Sequence, residues 1–188
     1  MTKQARTLDD RRYKTALAAC KSDRERVMFM LSVKAGLRAK EIAGLTWDRI
    51  DWDAKLLMLT TTKGDKPRHV PMHPDLVTAL SVHLGALGEK ADIWRYVLTN
   101  TNAAPGQPLS PAAVAVWFGS FYRDRLGWEG YSSHSGRRTF VTNAARKASL
   151  AGASLRDVQA LVGHESLTTT QRYIDTDPDA QRKLVDLI

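Results

Sequence analysis

Apolar positions along this chain follow two different periods. From 8 to 45 they recur at helical spacing: Val27, Leu31 and Ala35 share one face, and Gly36 follows as a stop. The pattern predicts helices over 8–20, 24–35 and 39–45, with Ile42 and Leu45 on one face of the third. The period then changes. IDWDAKLLMLTTTKGDKPRHVPM, residues 50–72, is rich in apolar residues and threonines at strand spacing, with a turn at Asp51 to Asp53 and a hairpin tip at Lys63-Gly64-Asp65-Lys66. Pro67 and Pro71 cannot donate to a ladder, which confines the last strand to a sheet edge. Helical signals resume over 74–87, and 99–108 is a polar loop. Ser110-Pro111 is a cap and first-turn pair opening a helix to 126, and Ser132 and Ser133 are suited to cap another over 134–149. A short helix over 155–162 closes at Gly163, and Pro178 opens a last one over 178–188. The fold class is mostly α with a small antiparallel β-sheet (α+β).

A chain of 188 residues is long enough to bury a core within one domain. At 43% hydrophobic and 26% charged residues, the composition is that of a folded chain. No apolar run is long enough to span a bilayer and no signal peptide opens the chain, so no membrane is expected. The single cysteine, Cys20, excludes an internal disulfide and a cysteine zinc site, which fits a cytoplasmic location. The net charge of +8 suits a polyanionic partner, and it equally suits plain solubility.

Several apparent motifs carry little. There is no phosphate-cradling GxxxxGK[ST] loop. Asp175, Asp177 and Asp179 alternate like a calcium loop, but its glycine and closing glutamate are missing. Asp48, Asp51 and Asp53 stand where turns favour aspartate. His69 and His73 lie four apart on a strand broken by Pro71, so they share no helical face. The KEIAGL helix after Gly36 resembles the first half of a helix-turn-helix regulator, although strand-like sequence follows it where a recognition helix belongs.

One ordered set stands out. Arg38 opens the third helix, and Lys63 lies at the hairpin tip. His134 and Arg137 share the first turn of a helix whose free N–H groups suit a phosphate. His164 follows a helix-ending glycine, and Tyr173 comes nine positions later. Taken singly, each of these is more often a structural residue than a chemical one.

Together they resemble the catalytic domain of the tyrosine recombinases, the phage-integrase family. GLRAKEIAGLTWDRID resembles its first arginine box, TTTKGDKPRHVPM its β-hairpin lysine, SHSGRRTF its HxxR box, and LVGHESLTTTQRYID its GH box and nucleophile. The resemblance runs from Gly36 to Tyr173. It implies that Tyr173 attacks a scissile phosphorus in double-stranded DNA, forming a 3′-phosphotyrosyl bond and releasing a 5′-hydroxyl. Arg38 and Arg137 would hold the charged transition state, and His164 would donate to a non-bridging oxygen. His134 would take the tyrosine proton, and Lys63 rather than Lys66 would protonate the leaving oxygen. Glu41 would support the active-site arginine and histidine, though a plain helix salt bridge explains it as well. No cofactor and no metal is implied. The active assembly would be a homotetramer on DNA, with Leu184, Val185 and Ile188 of the 178–188 helix docking on a neighbouring subunit or packing on their own core. The source would be prokaryotic or phage, the protein nucleoid-associated.

The sequence departs from the family pattern in places. Gly136 and Arg138 replace a common leucine and histidine, and Gly136 suggests that the helix starts after it. ARKASLAGAS is a longer link than usual. Only 1–37 precedes Arg38, so 1–188 is expected to be a single catalytic domain without the N-terminal core-binding domain. The polar linker ESLTTTQR is expected to let Tyr173 move while His164 stays fixed. A type IB topoisomerase would use the same chemistry, and a DNA-binding regulator with the same fold would cut nothing.

Overall fold

The structure is a computed structural model, which describes residues 4–59, 67–88, 90, 95–100, 104, 106–171 and 186. Its helices are α1 (Asp10–Ala19), α2 (Asp23–Lys34), α3 (Ala39–Gly44), α4 (Pro74–Leu87), α5 (Pro111–Ser120), α6 (Ser135–Lys147), α7 (Leu155–Val162) and α8 (Leu167–Gln171). Its strands are β1 (Ile50–Asp51), β2 (Leu56–Leu59) and β3 (Arg68–Pro71). The mixed class predicted from the two apolar periods is therefore the observed one. The helix bounds at 74–87 and 155–162 agree with the pattern to the residue.

Helix α2 is the centre. Every side chain from Val27 to Val33 is buried, so it is apolar all round rather than along one stripe. It packs against α4 on one side and α6 on the other, while α3 lies on α5. The sheet is antiparallel in the order β1-β2-β3, with Leu57 opposite both Ile50 and Val70. Strand β3 is at the edge, as Pro71 requires. The chain after α3 enters a 3₁₀ turn, Trp47–Arg49, and then β1, so no recognition helix follows KEIAGL.

Three expectations need correction. The helix predicted to run to 126 changes pitch after Ser120, and Phe121–Arg125 forms a π turn. That turn buries Phe121 and Tyr122 and brings Arg125 onto Glu25, through bonds of 2.6 and 3.0 Å. The helix predicted over 134–149 ends at Lys147, followed by a 3₁₀ turn at Ser149–Ala151. Neither Ser132 nor Ser133 is its N-cap, which is His134; the Ser132 hydroxyl instead accepts from the His134 N–H at 3.3 Å.

Gly136 does not delay that helix, which begins at Ser135. Its reason is packing. A Cβ at Gly136 would lie 2.2 Å from Ser32 Oγ and 2.9 Å from Val33 Cγ1, so only a glycine lets α6 approach α2 this closely. Helix propensity alone favours Gly136→Ala by up to about 1 kcal/mol, whereas overpacking a close contact costs about 1–3 kcal/mol. Gly136→Ala is therefore expected to lower the urea midpoint of unfolding; a raised midpoint would mean that the helices separate freely.

Candidate functional site

The site is built on the end of α7. Ser154 caps its start in a reciprocal pair with Asp157. Gly163, at φ 63° and ψ 50°, ends it in the left-handed conformation that glycine adopts without a Cβ penalty. A helix end leaves its last carbonyls without partners. Here the Gly163 and His164 N–H groups bond to Ala160 O (3.2 Å) and Gln159 O (3.1 Å). The next three carbonyls each accept from an arginine on a different element. Leu161 O takes Arg68 Nε at 3.2 Å, Val162 O takes Arg137 Nη2 at 2.7 Å, and Gly163 O takes Arg38 Nη2 at 3.1 Å.

These arginines come from β3, α6 and the N-cap of α3. Arg137 is only 5% exposed, and its Nη1 also donates to Gly36 O at 2.6 Å. Gly36 has φ 64°, and a Cβ there would lie 2.5 Å from Phe140 Cδ1, so the glycine is required both by torsion and by space. Glu41 joins two of the three. Its carboxylate accepts from Arg68 Nη1 (2.5 Å) and Nη2 (3.2 Å), from Arg38 Nη1 (3.2 Å), and from the Arg38 backbone N–H (2.6 Å). Burial pushes the Glu41 carboxyl up, but the Arg68 and Arg38 bonds and the nearby Arg137 charge outweigh it and hold it below the usual value. Three guanidinium charges thus face one carboxylate at the negative end of a helix dipole, an excess of two positive charges.

His164 sits at the same end and is buried. Its backbone carbonyl accepts from Gln159 Nε2 at 3.0 Å, and its ring Nδ1 is 3.0 Å from Thr170 Oγ1 on α8. Burial, reinforced by the charges of Arg137, Arg38 and Arg68, pushes the imidazole down to about 4. The ring is therefore neutral near pH 7, offering one N–H and one lone pair.

Of the predicted site residues, the structure brings Arg38, Glu41, Arg137 and His164 together. His134 is exposed at the N-cap of α6, one turn before Arg137. The N–H groups of His134 and Ser135, expected to be free for a phosphate, bond to Ser132 Oγ and Ser132 O. Lys63, Lys66, Tyr173, the Asp175/Asp177/Asp179 run and the 178–188 segment apart from Asp186 lie outside the described residues. Residues 167–171 of the linker are helical, and Thr170 is fully buried, so this part is tied to His164 rather than being a plain polar tether.

Sequence reasoning missed Arg68 and Thr170. Arg68 had a signal. It alternates with the buried Val70 and Met72, so it points a charge to the apolar face of an edge strand. Thr170 had none, because its neighbours Thr168 and Thr169 are chemically identical.

The depressed imidazole has a consequence for stability. The unfolded chain binds a proton near 6.5 while folded His164 resists it down to about 4, so stability falls as pH drops through that interval. The upper part of the interval lies above the ordinary glutamate value of 4.5. His164→Asn should flatten the loss of the urea midpoint between pH 6.5 and 5; an unchanged slope would show that other groups carry it.

The phage integrase family model matches residues 6–179. The chain is 29% identical over 161 residues to the tyrosine recombinase XerA of Thermococcus onnurineus, covering 85% of this chain and 54% of that protein. It is 35% identical over 162 residues to the tyrosine recombinase XerC of Rhodospirillum centenum, covering 83% and 43%. The chain thus spans about half the length of these relatives. In fold, it superposes on a crystal structure of XerA recombinase with a TM-score of 0.80 at 21% identity, covering 98% of this chain and 65% of that one. It also superposes on the Tn1549 transposon integrase in complex with a circular intermediate DNA, with a TM-score of 0.78 at 18% identity, covering 100% and 67%. A match over nearly the whole chain, in a sequence whose arginines and histidine meet as described, places this protein in the phage integrase family.

Proposed function

We propose that this chain is the catalytic part of a site-specific DNA recombinase that cuts and rejoins strands through a 3′-phosphotyrosyl intermediate. The observation that carries the reading is the meeting of Arg38, Arg137 and neutral His164 at the end of α7, where buried Glu41 bonds Arg38 and Arg68. A phosphodiester under attack gains negative charge on its non-bridging oxygens, and fixed guanidinium groups with an excess of positive charge stabilise that charge without reorganising. Arg38, whose side chain is 27% exposed, can reach a ligand. Arg137 is fixed by two carbonyls, so it acts as a rigid charge. If the Thr170 hydroxyl donates to Nδ1, the imidazole proton stays on Nε2, ready to donate to a phosphate oxygen.

In this reading Tyr173 is the nucleophile. Its oxygen attacks phosphorus as His134 takes the phenolic proton, the bond to the 5′-oxygen breaks, and Lys63 protonates the leaving oxygen. The phosphotyrosyl bond stores the energy of the broken link, and a 5′-hydroxyl from another strand reverses the step. The working form is a homotetramer on two DNA sites in the cytoplasm of a prokaryote, with 178–188 docking on a neighbouring subunit. That relatives are named tyrosine recombinases, and that the Tn1549 and lambda integrases are described bound to DNA, supports the partner class.

The test uses a library of nicked duplexes with a randomised core, from which denaturant-resistant protein–DNA adducts are recovered and sequenced. An adduct on a defined subset of sequences is expected, and none with Tyr173→Phe. Binding without any adduct would favour a regulator, and relaxation of supercoiled DNA without site preference a topoisomerase. On the selected DNA, Arg137→Lys should slow cleavage by about a hundredfold or more, the scale of losing one fixed charge-stabilising donor, with the rate read by single-turnover assay.

A further inference from the structure

Arg68 is the third guanidinium at the end of α7, and nothing in the proposed chemistry uses it. Its side chain is 8% exposed, and its three guanidinium nitrogens are taken up by the protein: the two terminal ones bond the oxygens of Glu41 and Nε bonds Leu161 O. Its stem is also lodged against the turn that presents His164, since a Cβ on Gly163 would lie 3.0 Å from Arg68 Cδ.

We propose that Arg68 is a positioning residue for strand cleavage: it occupies Glu41 on one side so that Arg38 is held on the other in the orientation that meets the scissile phosphate. This role rests on the DNA-cleavage reading above. The physical reason is competition for a cation. Glu41 is 9% exposed, so its charge is balanced by protein groups rather than by water. With Arg68 in place, Arg38 gives the carboxylate a single side-chain bond of 3.2 Å and places its other terminal nitrogen on Gly163 O. Without Arg68, the carboxylate retains Arg38 as its directly bonded guanidinium, and the attraction draws Arg38 inward, away from substrate. A lysine cannot replace Arg68, because one ammonium cannot span both carboxylate oxygens and the Leu161 carbonyl.

The test is single-turnover cleavage of the selected suicide duplex at saturating protein by Arg68→Lys, Arg68→Met and the double variant Arg68→Met/Glu41→Gln. Misplacing a catalytic group by about 1 Å costs on the order of a hundredfold. Both single variants are expected to lower the cleavage rate constant by at least about tenfold while DNA affinity changes by less than about threefold. The double variant, which removes the charge that pulls on Arg38, should regain part of the rate. A purely structural role would lower the cleavable fraction but leave the rate constant of the folded molecules at the wild-type value, and that result overturns the proposal. Lost affinity at an unchanged rate constant would make Arg68 a DNA contact and overturn it as well. A double variant no faster than Arg68→Met removes Glu41 as the route, with the same consequence. No adduct with the unaltered protein would instead overturn the cleavage reading itself, and this inference with it.

Discussion

A helix cannot end in a protein interior without partners for its last carbonyls. In this fold that requirement is met at α7 by guanidinium groups from β3, α6 and the start of α3, each on a different carbonyl. The same bonds that complete the helix therefore gather like charges at a helix end that lies up to 125 residues away from them in the chain. Mutual repulsion opposes such a cluster. The helix dipole, the carbonyl oxygens and the buried Glu41 offset it. The outcome is a positive cluster whose geometry is set by backbone hydrogen bonding rather than by flexible side chains alone.

Much of the surrounding architecture serves this junction. Gly163 makes the turn that frees the carbonyls and leaves room for the Arg68 stem. Gly36 turns its own carbonyl onto Arg137 where Phe140 leaves no space for a side chain. Gly136 lets α6, and Arg137 with it, lie against the buried part of α2. The close-packed core around α2 keeps these distances fixed. His164 is affected by the same environment. Burial and its cationic neighbours keep the imidazole neutral, so it adds no further charge to the cluster.

Local pattern carried much of this. The bounds of α4 and α7 and the edge position of β3 follow from periodicity, caps and proline, all short-range effects; the pattern marked one apolar face of α2, and only packing showed that Val27 to Val33 are buried all round. The π turn at Phe121–Arg125 did not, because it arises from fitting Phe121 and Tyr122 into the aromatic core and Arg125 onto Glu25. Gly136 was misread for a related reason. Its sequence context shows only a weak helix former, and the Ser32 and Val33 side chains that require it lie about a hundred residues away in the chain.

By itself, the sequence determined the kinds of residue available for chemistry, their order, and the helix and strand periods that carry them. Arg38, Arg137 and His164 could be chosen from that order, and the family resemblance added Glu41. Tertiary structure alone decided which groups share the end of α7. It brought in Arg68, gave Glu41 two arginine partners rather than one, and used the N–H groups of His134 and Ser135 on Ser132. The division has a physical basis. Periodicity and capping are local and leave a mark within a few residues, whereas the pairing of a buried charge depends on which distant elements pack beside it.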